Sequence, residues 1–277
     1  MNLLSYRSDK YTTTGNDGII EKIFTTLGVK NGFFVEFGAW DGIKGSNCRK
    51  LWEEGWAGIF IEGHKEKYKD LVENYKESDK VTCVNSMVDT DSNLFDDIVE
   101  PHVKDKIDFC SIDIDGLDLD VFETFDKYLP TVVCIEGGQM LEVKHKKVDK
   151  NIAQNNIQQS LQVYVDSFEK KGYKLLCTYQ DSFFVKEELY DLFKLEEQDL
   201  FEHYLSGLEA LHRRMPWIQA VLSSVGLRNR VIDYILSKSD YYRYGYNNRK
   251  LWAVEQKEIT IRNIKDLRSQ YAGGRKQ

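Results

Sequence analysis

Phe33-Phe34-Val35-Glu36-Phe37-Gly38-Ala39-Trp40-Asp41-Gly42 is the stretch that decides how this chain is read. Five residues, four of them apolar and one acidic, run straight into a segment bounded by two glycines. Short apolar runs ended by glycine read as buried strands, with the turn at the strand's carboxyl end. Gly38 lets a ligand come close to the backbone, and Gly42 permits the turn into the next segment. Ligands of open α/β sheets lie across the carboxyl ends of the strands. Gly38, Ala39, Trp40, Asp41 and the nearby Asn47 are therefore candidate ligand contacts. The pyrophosphate pattern G-x-G-x-x-G is absent, because Trp40 stands where the second glycine would be.

Outward from this turn the chain alternates strand and helix. Upstream, residues 1–16 are polar and read as an irregular arm. Ile19, Ile20, Ile23, Phe24 and Leu27 then form a helical stripe, with Asp17 as N-cap and Gly28 as stop. Downstream, Ser46 caps a helix through Glu54. Strands are expected at 58–62, 81–84, 107–113 and 132–136, with helices at 65–76, 92–99 and 118–128 between them. Ile157, Leu161, Val165 and Phe168 mark one more helix. The last two strands, at 173–179 and 183–185, are too close in sequence to be parallel. A mostly parallel sheet ending in an antiparallel hairpin is the pattern of an α/β, Rossmann-like class I methyltransferase. A plain dinucleotide-binding domain lacks that hairpin.

The acidic residues sharpen the expectation about the ligand. Glu36 in the first strand suits the cationic end of S-adenosylmethionine, which carries an ammonium and a sulfonium. A pyrophosphate prefers bare glycines and a helix N-terminus. Glu62 ends the second strand about 20 residues after the glycine turn, where a carboxylate can accept both ribose hydroxyls. Ser86 and Met87, just past the third strand, complete the expected cofactor contacts together with Asp113.

With these residues in place, the chain resembles FkbM-like methyltransferases. The resemblance rests on Asn16-Asp17-Gly18-Ile19-Ile20, residues 33–42, Ser46-Asn47, Gly55-Trp56-Ala57-Gly58 and Ile61-Glu62. Ser111-Ile112-Asp113-Ile114-Asp115-Gly116 and Phe183-Phe184-Val185 continue it. It covers roughly residues 11–186. It implies S-adenosylmethionine as methyl donor and a hydroxyl of a sugar, glycan or natural product as acceptor. The chain departs from the family pattern at Thr14, Asn16 and Cys48.

Oxygen methylation is an in-line attack on the sulfonium methyl, helped by removal of the hydroxyl proton. Asp113, Asp115 and Glu136 follow strands four and five, where the reacting groups should stand. They are expected to act as base and hydroxyl grip, or to hold Mg²⁺ or Mn²⁺. His145, in the polar loop after strand five, is a further candidate base; flanked by Lys144, Lys146 and Lys147, it equally reads as part of a solvated basic run. No Pro-Pro follows strand four and no proline precedes a cysteine, which disfavours planar-nitrogen and cytosine-C5 chemistry.

The formal net charge of −7 speaks against the whole molecule binding nucleic acid electrostatically, so a small-molecule or glycan acceptor is expected and nucleic acid is not. A nucleic-acid 2′-O-methyltransferase, a non-catalytic cofactor-binding module and an NAD-type oxidoreductase are the rivals. The negative excess lies in residues 1–190, the expected methyltransferase domain. Residues 191–277 carry a positive excess and read as a mainly helical extension, either a cap or a homo-oligomer interface. Five scattered cysteines and no secretory segment point to a cytoplasmic protein. No apolar run approaches the ~18 residues of a membrane span.

Overall fold

Alternation along each strand places apolar side chains on both faces, so both faces must be covered. The computed structural model, which describes residues 1–137, 147, 158–200, 202–204 and 206–207, shows how. Strands β1 (Phe33–Phe37), β2 (Ala57–Ile61), β3 (Val81–Val84), β4 (Phe109–Ile112), β5 (Val132–Glu136), β6 (Tyr173–Thr178) and β7 (Asp181–Lys186) form one sheet. Its order is β3-β2-β1-β4-β5-β7-β6. The first five strands are parallel, while β7 runs antiparallel to β5 and β6. This is the class I methyltransferase sheet. β7 lies between β5 and β6, a placement the hairpin alone did not predict.

Phe34 and Phe60 face one layer, where they join Phe24 and Trp56 of a fully buried cluster. That layer contains α1 (Asn16–Leu27), α2 (Arg49–Glu53) and α3 (Lys65–Tyr75). Val35 and Phe37 face the other layer, with α4 (Phe95–Val99), α5 (Asp118–Glu123) and α6 (Leu161–Glu169). There Phe122, Phe168 and Phe184 form a continuous stack with 3.7 Å between successive ring centroids. Aromatic burial of this kind dominates core energetics.

Several local expectations change. Asp17 does not cap α1; Gly15, at φ 91°, does, and Asp17 sits in the first turn. Its Oδ2 instead accepts the backbone N–H groups of Lys10, Tyr11 and Thr12. The polar arm is thus folded onto the domain, with Leu3 buried in the core. Ser46 does serve the turn into α2, accepting from the N–H groups of Cys48 and Arg49. The helices at 49–53, 95–99 and 118–123 are shorter than their apolar patterns suggested. All five cysteines are free, and four lie in strands. Among the described residues no helix is long and apolar enough to cross a membrane. Residues 208–277, where most of the expected cap or interface falls, and His145 lie outside the described residues.

Candidate functional site

The carboxyl ends of β1, β4 and β5 open on a cleft of about 290 Å³, at the low end of the roughly 300–1,000 Å³ usual for ligand pockets. Its walls come from the Gly38–Trp40 turn, the Lys44–Asn47 loop, Asp113, Asp115, Glu136 and Gln180. Three segments distant in sequence meet here because β1, β4 and β5 are neighbours and end at the same edge.

Glu36 lies at the cleft wall but is only 5 % exposed. Its Oε2 accepts from Ser46 Oγ (2.6 Å) and from the Cys48 N–H (3.2 Å), and its Oε1 from the Asn47 N–H (2.8 Å). Burial pushes its carboxyl up to about 7, and these hydrogen bonds oppose the rise. Glu36 therefore braces the 46–48 turn as well as lining the cleft. Gly38, at φ 74°, is needed for a reason the sequence did not reveal. A Cβ there would lie 1.6 Å from the carbonyl oxygen of Asp113, so the glycine admits the β4 backbone rather than the ligand. Gly42 likewise makes room for Tyr75 and Leu71 of α3.

Glu62, also buried, has both oxygens on backbone groups. Oε2 accepts the Trp40 N–H (2.7 Å) and Oε1 the His64 N–H (2.6 Å). Each oxygen keeps a second lone pair for a hydroxyl donor. Trp40 is not a core residue. The residue is 52 % exposed, its φ is 53°, and Lys67 Nζ lies 4.4 Å from the centre of its ring. Trp56, by contrast, is buried at 1 %. Asp41 spends Oδ1 on the N–H groups of Ile43 and Lys44, so it shapes the turn, and it is outside the cleft lining. Ser86 and Met87 are outside the cleft lining: Met87 lies beside Gly63, whose Cβ position is 2.8 Å from its Sδ, and Ser86 Oγ accepts from Asn93 Nδ2.

Asp113, Asp115 and Glu136 do come together: one oxygen from each lies within 4.8 Å of the others. Asp115 adopts φ 61° in a turn held by Asp118, which accepts the N–H groups of Ile114 and Gly116, both at 2.8 Å. Asp118 is wholly buried, and burial followed by repulsion from Asp113 pushes its carboxyl up to about 7. Crowding by protein atoms lifts Asp113 well above the usual carboxylate range, and repulsion from Glu136, Asp181, Asp115 and Glu36 adds to it. Asp113 still reaches solvent, so the repulsion is the firmer cause. Four carboxylates against Lys44 make a cleft that fits a cationic ligand, and three of them offer a hard oxygen set to Mg²⁺ or Mn²⁺.

Sequence reasoning missed Gln180, Lys44, Asp181 and the inward role of Asn16. Asp181 is paired opposite Glu136 in the β5–β7 register. Only the placement of β7 reveals that neighbour, and no local pattern marks it.

No protein-family profile matches the chain, and no curated protein does. Solved structures match at the level of fold. One is the S-adenosylhomocysteine-bound methyltransferase PaMTH1 of Podospora anserina, at 10% identity over 63% of this chain and 79% of that one, with a TM-score of 0.45. Another is TrmK of M. capricolum in complex with S-adenosylhomocysteine, at 10% identity over 77% and 93%, with a TM-score of 0.41. A third is described as a candidate RNA methyltransferase from Pyrococcus horikoshii, at 14% identity over 65% and 89%, with a TM-score of 0.40. The strand order itself is that of the class I methyltransferase fold. The third structure corrects the expectation that nucleic acid is not a partner. A net negative charge summed over the whole chain gives no ground for that exclusion.

Proposed function

We propose that this protein is an S-adenosylmethionine-dependent methyltransferase that transfers a methyl group to a hydroxyl of a sugar-like acceptor. The observation that carries the reading is the acidic cleft at the ends of β1, β4 and β5, with Glu36 and Gly38 on one side and Asp113, Asp115 and Glu136 on the other. The FkbM-like motifs support the same acceptor class. S-adenosylmethionine, when bound, supplies the electrophilic methyl group. Glu36 and the 44–47 loop would hold its cationic end, and Glu62 its ribose.

The chain's own contribution to the reaction is positioning and proton removal. Asp115 and Glu136 stand where an acceptor hydroxyl would lie, and a carboxylate oxygen of either takes its proton. Their neighbour Asp113 is lifted above the usual carboxylate range by burial and by the repulsion these acids exert on it. A divalent cation on the same three carboxylates would lower the hydroxyl's pKa instead. A ribose 2′-hydroxyl in nucleic acid is the second reading, kept because a structure of the same fold is described as an RNA methyltransferase candidate. Calorimetry tests the core of the reading: S-adenosylhomocysteine should bind and NAD should bind far more weakly. Tight NAD binding with no S-adenosylhomocysteine signal overturns it. Methyl transfer assayed on nucleotide sugars and on RNA then separates the acceptors.

A further inference from the structure

Beneath the cleft runs a buried polar ladder. Asn16 Nδ2, at the start of α1, donates to Asn47 Oδ1 (2.9 Å) and also to the carboxylate of Asp181 on β7. Asn47 Nδ2 in turn donates to Ser111 Oγ on β4 (2.9 Å). Asn16 is 2 % exposed, Asn47 7 %, Ser111 1 % and Asp181 7 %. Four segments are tied side chain to side chain: α1, the 44–47 loop, β4 and β7. Two of them are cleft walls, since Asn47 lines the cleft and Asp181 follows Gln180, which also does.

The polarity of the ladder is determined. The Asp181 carboxyl oxygen accepts from Asn16 Nδ2. Asn16 Nδ2 faces Asp181 and Asn47 alike, so Asn47 turns its oxygen to Asn16 and its nitrogen to Ser111. Asn16 must therefore donate twice, and its own Oδ1 has no partner among the described residues. A buried amide used only through its donors is what distinguishes asparagine from aspartate at this position. Its neighbour Asp17 faces the other way and pins the N-terminal arm, whose Tyr11 carbonyl accepts the N–H of Gly45 on the cleft loop.

We infer that Asn16 is a positioning residue for the cofactor cleft: by donating to both Asn47 and Asp181 it sets the 44–47 loop and the β7 wall at the separation the cofactor needs. This rests on the reading of the cleft as the S-adenosylmethionine site. A hydrogen bond to a buried acidic group is worth more than one between neutral groups, so losing it is felt at both walls.

The test uses the full chain and S-adenosylhomocysteine as probe. Asn16→Asp replaces both donors by a carboxylate facing Asp181. It should weaken S-adenosylhomocysteine roughly 10- to 100-fold at a temperature where circular dichroism shows the variant folded. The double variant Asn16→Asp with Asp181→Asn reverses the donor and acceptor. Asn47 can turn its amide over, because the Ser111 hydroxyl serves as donor or acceptor, so binding should return to within about 3-fold of wild type. A purely structural role would lower the melting temperature of Asn16→Asp and leave the dissociation constant of the folded protein alone. Should Asn16→Asp fail to fold, Ser111→Ala removes the far rung with little change in volume and should weaken binding about 3- to 10-fold. Wild-type affinity in the folded variants, or no recovery in the double variant, overturns the inference. If the wild type itself binds no S-adenosylhomocysteine, the functional reading is what has failed.

Discussion

The carboxylate of Glu62 holds the backbone of Trp40: Oε2 accepts the Trp40 N–H at 2.7 Å across 22 residues of chain. This single contact joins the end of β2 to the glycine turn after β1. It also keeps Trp40 at a positive φ that costs on the order of 1–3 kcal/mol for a non-glycine residue. A strained, exposed tryptophan at a cleft mouth is the kind of feature that persists only where the surroundings enforce it.

Glu62→Ala is expected to remove that enforcement together with the proposed ribose contacts. S-adenosylhomocysteine binding should weaken by roughly 30- to 1,000-fold, the worth of two charge-assisted hydrogen bonds. Isothermal calorimetry reads this directly. An unchanged dissociation constant would mean that Glu62 serves the Trp40 turn alone.

Gly38 and Gly45 make a matched pair for substitution. Both have positive φ, but a Cβ on Gly38 meets the Asp113 carbonyl at 1.6 Å, while one on Gly45 meets nothing within 4 Å. Gly45→Ala should cost only the backbone strain, about 1–2 kcal/mol. Gly38→Ala must displace β4 and should cost more than ~4 kcal/mol. Urea unfolding distinguishes them. Equal midpoints for the two variants would show that the β1–β4 contact is looser than described.

The reacting edge predicts a split between binding and turnover. Asp115→Asn and Glu136→Gln should each lower turnover by about 10²- to 10⁴-fold with little effect on S-adenosylhomocysteine affinity. EDTA followed by Mg²⁺ or Mn²⁺ decides how the edge works. Loss and restoration of wild-type activity assigns Asp113, Asp115 and Glu136 as metal ligands; indifference to EDTA leaves them as base and grip. Wild-type turnover in both amide variants removes this edge from the mechanism.

Asp118 makes stability depend on pH. Its folded carboxyl, at about 7, lies above the ordinary aspartate value near 3.9. The folded state therefore binds the proton more tightly than the unfolded state. The stabilising contribution is complete below about pH 4 and is lost as pH rises through 7. Wild-type urea midpoints should fall between about pH 4 and 7. Asp118→Asn gives up one of the two backbone bonds and should be less stable throughout, yet with a shallower slope across that window. Parallel slopes would place the Asp118 titration elsewhere.

Much of this molecule was legible in the sequence because period and punctuation are local properties. The run Phe33–Phe37, the glycines that follow, and the short link between the last two strands were enough for a parallel sheet with an antiparallel end. Asp113, Asp115 and Glu136 could be grouped because parallel neighbouring strands deliver their ends to one edge. What the sequence could not decide depends on which strands are neighbours and on what each side chain meets there. The position of β7 between β5 and β6 is a pairing across some 50 residues, and it alone brings Asp181 to Glu136. Gly38 was legible as a turn glycine, but its partner is the Asp113 carbonyl on a strand more than 70 residues away. Asn16 read as the end of an irregular polar arm and as a departure from the family pattern. Only packing α1 against the sheet shows that its amide faces two acceptors, because hydrogen-bond direction is set by the group opposite and not by the residue itself.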